Sequence, residues 1–205
     1  MKARTSYPIA TTAAFSMATL LVAAMSRGQQ ILHTEDALEH FDEHVAAYLE
    51  VRTRVAASVP PIEVLSDLGR IQAHIDGLAG AIRAARSAAQ PGDLFTADVR
   101  LVVRVDIRNA LGAARIDVEE LRAALEQEAE PGAEVPFVGI NQAYPWAFGS
   151  VVPPVLLIAL PALPVELQYR FIGRDLLLVD VEADLVVDIL PNALPLGRPP
   201  DLSLC

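Results

Sequence analysis

The chain has 205 residues, enough for one domain of ordinary size. Hydrophobic residues make up 53% and charged residues 20%, which excludes wholesale disorder; 11 Gly and a single Cys exclude collagen-like and disulfide-dense scaffolds. A formal net charge of -10 excludes any general affinity for nucleic acid or anionic lipid, because both partners are themselves negative.

The first 26 residues read as a secretory signal peptide. Lys2 and Arg4 form a basic start, Thr11 to Met25 an uncharged stretch of 15 residues, and Ala23, Ala24 and Ser26 a small-residue exit. The stretch is shorter than the roughly 20 apolar residues of a membrane span; retention as an N-terminal anchor is the alternative. Cleavage is expected near Ala24 or Ser26, which places the chain in the periplasm or outside the cell. The remaining chain would carry 14 Arg, no Lys and 26 acids, so Schiff-base and P-loop lysine chemistry are excluded. Cys205 has no partner within the chain for a disulfide.

Residues 32–130 are expected to be helical. Leu38, Phe41, Val45, Tyr48, Leu49, Val55 and Val59 recur at spacings of three and four, with Thr34 as N-cap and Glu35 and Asp36 in the first turn. Pro60-Pro61 stops this helix. A second runs from Ile62 to about Ala89, and the two form an αα-hairpin. Gly69, Gly77 and Gly80 either weaken the second helix or let the first approach closely. Val99 to Leu111 fits both a strand, through Val103, Val105 and Ile107, and a helix; Thr96 as cap and the alanines that follow favour helix. A fourth helix is expected from Ile116 to about Glu128.

Residues 131–164 hold seven of the 15 prolines and no periodicity, and read as a connector. The apolar stretch Val151 to Leu163 within it is broken by Pro153, Pro154 and Pro161, which excludes a membrane helix. Phe137, Tyr144, Trp146 and Phe148 are expected to plug the edge of the helical core. From Val165 the period becomes two: Val165, Leu167, Tyr169 and Phe171 alternate with polar residues. Gly173-Arg174-Asp175 is a turn, Leu176 to Glu182 a second strand and Leu185 to Leu190 a third. Residues 191–205 show no pattern. The fold expected is α+β, mainly α: about four helices, then a small antiparallel meander over 165–190. A lone hairpin is marginal in water, so the meander must be covered, preferentially by the helical hairpin of residues 34–89.

The segments AAQPGDLFTADVR and LPVELQYRFIGRDLLLVDVEADLVVDILPNALP resemble parts of a group of exported bacterial proteins of uncharacterised function. That group combines a helical front half with a C-terminal segment of the YRF-GRDL-DV-A-LVVD type. The resemblance spans roughly residues 36 to 195. It implies export and an α-then-β layout, and carries no activity and no catalytic residue.

Three constellations bear on chemistry. His40-Phe41-Asp42-Glu43-His44 matches HxxEH, a zinc-peptidase signature. Histidines at i and i+4 share a helix face and can bind one Zn²⁺; Glu43 would be the general base, and Glu119 or Glu120, the latter 76 residues on, the third ligand. Against this, a helical wheel places His40, Glu43 and His44 off the core face, toward solvent. Asp180, Glu182 and Asp184, with Asp188 nearby, would share one face of a strand and suit Ca²⁺, or else form a solvated face balanced by Arg170 or Arg174. No serine-nucleophile or Walker pattern occurs, and no cofactor fingerprint. The leading expectation is therefore a non-catalytic exported protein, without cofactor, that binds a protein or envelope partner. A zinc-dependent hydrolase and a Ca²⁺-stabilised module are the alternatives.

Overall fold

A computed structural model describes residues 13–62, 67–128 and 137–196, with side chains from Thr34 onward and, in the second segment, up to Glu126. The first 12 residues of the expected signal peptide, the start expected for the second helix at 63–66, the early connector and Cys205 lie outside the described residues. The architecture is α+β and mainly α, with the sheet at the C-terminal end.

Helix α1 spans Ala13–Ala56. The start expected at Thr34 is thus corrected. Residues 26–33 contain no proline, and an uninterrupted helical backbone overrides the local cap signal. The buried residues Ala37, Phe41, Val45 and Tyr48 give the face its period of three and four. The helix ends four residues before Pro60. Helix α2, Leu68–Ala85, begins later than the periodicity suggests because Asp67 caps it, its Oδ1 accepting the Arg70 N–H at 2.9 Å. Only one of its glycines meets a neighbouring segment: a Cβ at Gly77 would lie 3.3 Å from the Val59 side chain, whereas Gly80 faces open space.

Helix α3, Ala97–Ala114, resolves the ambiguous stretch. Val99, Val103, Ile107 and Leu111 are buried four residues apart, while Val105, which a strand would have buried with Val103 and Ile107, faces outward. Helix α4, Val118–Glu128, is capped by Asp117, whose Oδ1 accepts the N–H groups of Glu119 and Glu120.

The described part of the connector is structured. It holds a 3-10 turn at Trp146–Phe148, strand β1 at Ser150–Val151 and a short helix α5 at Pro154–Leu157. Prolines 153 and 154 start α5 rather than break it, since the first helical position needs no N–H. Strand β1 joins β2 (Leu167–Ile172), β3 (Asp175–Asp180) and β4 (Leu185–Leu190) in an antiparallel sheet of order β1-β2-β3-β4. The meander thus has four strands, not three. Val165 precedes β2 and is 91% exposed, so it does not belong to the apolar stripe.

Both sheet faces are apolar. The inner face, through Leu167, Tyr169, Phe171, Leu176 and Leu178, shares one core with the helices. Phe41 stacks on Phe95 at 5.7 Å between ring centres, and Phe95 on Tyr169 at 6.4 Å. The helical cover expected for the meander is therefore present. On the outer face Tyr144 packs with Ile172, Leu177, Val179 and Val186. The connector aromatics do not plug the helical core: Tyr144 covers the far side of the sheet, and Phe137 is 87% exposed. Gly149 makes the Tyr144 position possible, since a Cβ there would lie 1.4 Å from its hydroxyl oxygen.

Candidate functional site

The HxxEH residues sit on α1 where the helical wheel puts them, off the core face. His40 is exposed, with Nδ1 3.4 Å from Asp98 Oδ2 on α3. Glu43 and Glu120 are exposed; His44 is half-buried, its Nδ1 enclosed without a hydrogen-bond partner. The structure does not bring Glu120 to the two histidines, and among the described residues no three His, Cys, Asp or Glu side chains are placed to hold one metal ion. Asp98 itself titrates at about 2, chiefly because the Thr96 hydroxyl hydrogen-bonds its carboxylate.

The acids of the C-terminal half are not a row on one strand face. Strand β3 ends at Asp180, and Glu182 and Asp184 lie in the turn to β4. Their partners also differ from Arg170 and Arg174. Asp180 is fully buried and accepts the Tyr48 hydroxyl and Arg52 Nε, both at 2.7 Å on Oδ2, and the Ala183 N–H at 2.9 Å on Oδ1. Burial, then the Asp180 charge, pushes the Tyr48 hydroxyl well above its ordinary value, so it remains a donor. Glu182 accepts Arg52 Nη2 on one oxygen and faces His74 Nε2 at 3.1 Å with the other. His74 Nδ1 lies 2.7 Å from the Pro60 carbonyl oxygen. Both ring nitrogens thus face oxygen acceptors, a pairing complete only when both carry a proton. Burial raises the Glu182 carboxyl, but the hydrogen bonds and charges of Arg52 and His74 more than offset it and hold it below its ordinary value.

Asp184 has a left-handed backbone (φ 51°) and accepts the Trp146 indole N–H. Asp188, buried in β4, accepts four backbone N–H groups, from Gly92, Leu94, Phe95 and Ile189, at 2.7–2.8 Å. It fixes the loop that leads into α3. Every one of these acids is committed to an internal partner, and the cluster acts as a fastener between helices and sheet.

A second feature has a different character. Beside the β1–β2 edge lies a groove of about 260 Å³. Val151, Leu157, Pro161 and Leu163 form apolar walls, and Gln168 and Arg170 provide its polar side. Val151 is 58% and Leu157 46% exposed, and the neighbouring Ile158 stands out almost fully. Among the described residues, Arg170 is the one charged residue lining the groove. Its Nη2 donates to Gln168 Oε1 at 2.7 Å, and its guanidinium lies 5.3 Å from the centre of the Trp146 ring. No carboxylate among the described residues pairs with it, and its Nε is enclosed without a partner. The sequence suggested Arg170 or Arg174 as the residue balancing a solvated acidic strand face. The alternation around Arg170 gave its side of the strand, but nothing in the sequence showed that residues 151–163 fold back beside it.

No protein-family model matches the chain, and no curated protein or solved structure matches it.

Proposed function

We propose that this is a non-catalytic exported protein, periplasmic or extracellular, that holds a partner at the groove beside β1 and β2. The observation that carries the binding role is the groove itself: exposed apolar walls with one guanidinium that no acid among the described residues pairs with. Binding sites of this kind are mostly apolar with few, placed polar groups. The acids of the C-terminal half, by contrast, are internally partnered and serve the fold. Export rests on the basic start, the 15-residue uncharged stretch and the resemblance to exported bacterial proteins. No helix among the described residues is long and apolar enough to cross a membrane.

N-terminal sequencing of the protein from its producing cell tests export, with a new N-terminus expected near Ala24 or Ser26. Met1 retained in a soluble cytoplasmic fraction would overturn it. For the groove, Leu157→Glu in the purified chain should abolish binding of an uncharged apolar probe, decan-1-ol, that the unaltered protein takes up saturably. Absence of saturable uptake of decan-1-ol and of its anionic analogues by the unaltered protein would refute the binding role.

A further inference from the structure

Resting on that reading of the groove, we propose that its ligand is a single-chain amphiphile with an anionic head, and that Arg170 recognises the head. The volume sets the tail. At roughly 30 Å³ for a water-sized group, and a methylene is of similar size, 260 Å³ takes a chain of about eight to ten carbons. The walls set its chemistry: Val151, Leu157, Pro161 and Leu163 offer no hydrogen bond from their side chains, so the buried part of the ligand is hydrocarbon.

Charge selects the head. The chain as a whole is at -10, yet among the described residues the only charged one lining the groove is a cation. The terminal nitrogens of an arginine match the two oxygens of a carboxylate or of a phosphate monoester, and among the described residues no acid pairs with them; Nη2 donates to Gln168 Oε1. Gln168, bonded to Nη2, orients the guanidinium along the β2 edge. Trp146 stacks on the same guanidinium, which places the chain's single tryptophan beside the head-binding group. Carboxylate and phosphate heads share this chemistry, and their relative affinities distinguish them.

The experiment is isothermal titration of the full mature chain with decanoate, decyl phosphate and decan-1-ol, each below its aggregation threshold, with Trp146 fluorescence as a second signal. Saturable one-to-one binding is expected for at least one of the two anions, at least tenfold tighter than decan-1-ol; the tighter anion identifies the head. Arg170→Gln should reduce the ratio of anion to alcohol affinity to near unity, and Arg170→Lys should retain part of it. Because Arg170 also contacts Trp146, a thermal melt of each variant matching that of the unaltered protein reports an intact fold. Equal affinity for the alcohol and both anions would overturn the anionic ligand while leaving the groove as a binding site. Binding of none of the three would overturn both.

Discussion

Asp180 closes β3 with its carboxylate away from water, accepting the Tyr48 hydroxyl, the Arg52 guanidinium and the Ala183 N–H. Removing it strands a buried arginine, because Glu182 satisfies only the Nη2 side of that fork. Asp180→Ala should therefore cost about 3–5 kcal/mol in urea unfolding, the range for breaking a buried pair. Adding Arg52→Met should recover a large share, since the uncompensated charge goes with it. A single-variant loss below about 1 kcal/mol would show that the pair is not a fastener. The sequence carried part of this signal. An acid in the apolar runs LLLVD and LVVDIL has hydrophobic neighbours on both faces, so it must find an internal partner. The partners themselves were not legible, because Arg52 lies 128 residues from Asp180 and no local pattern links the two.

At the level of elements, Glu182 joins three of them at one point: α1 through Arg52, α2 through His74, and the turn between β3 and β4 that carries it. Its folded carboxyl titrates lower than in the unfolded chain. The stabilisation from this joint is thus present above the ordinary carboxylate range and is lost as pH falls through the folded value. Unfolding midpoints measured from pH 6 down to pH 3 should decline, and Glu182→Gln should flatten part of that decline. Added salt should shrink the Glu182 contribution, as the side chain is nearly half exposed and screening reaches it. A pH profile identical in the two proteins would contradict the joint. The elements were unequally readable. Helix α3 had a double pattern that the burial of Val99 and Leu111 settles. Strand β1 has only two residues, too few for any periodicity, and α1 runs through a capping signal that a helix start would have used.

For the whole molecule, the decisive fact is that one core includes Phe41 and Val45 of α1, Ile82 of α2, Val103 of α3 and Phe171 and Leu176 of the sheet. Helices and sheet should therefore unfold together. Thermal melts followed by helix-sensitive circular dichroism and by strand-sensitive infrared absorption should coincide, and Phe171→Ala should lower both, costing about 3–5 kcal/mol. Separated transitions would mean two independent units. The order of helices before strands was legible because hydrophobic period changes from 3.6 to 2 near residue 165. The folding back of residues 137–164 was not, since proline-rich chain has no period to read and its place is fixed by distant contacts such as Tyr144 against Val186.

The two sides of the sheet end differently from its middle. On one side stands the two-residue β1; on the other, the start of β4 is occupied by residues 141–144, which exchange backbone hydrogen bonds with Asp184 and Val186. Among the described residues neither margin offers a long row of unpaired backbone groups, which limits the template for stacking into fibrils. The unfolded chain has no such protection, for LLLV and LVV are strongly strand-forming and uncharged. There Asp180 and Asp188, the acids that follow those runs, act by repulsion between chains. The same two carboxylates that are held by internal hydrogen bonds in the folded protein would thus keep copies apart before folding is complete.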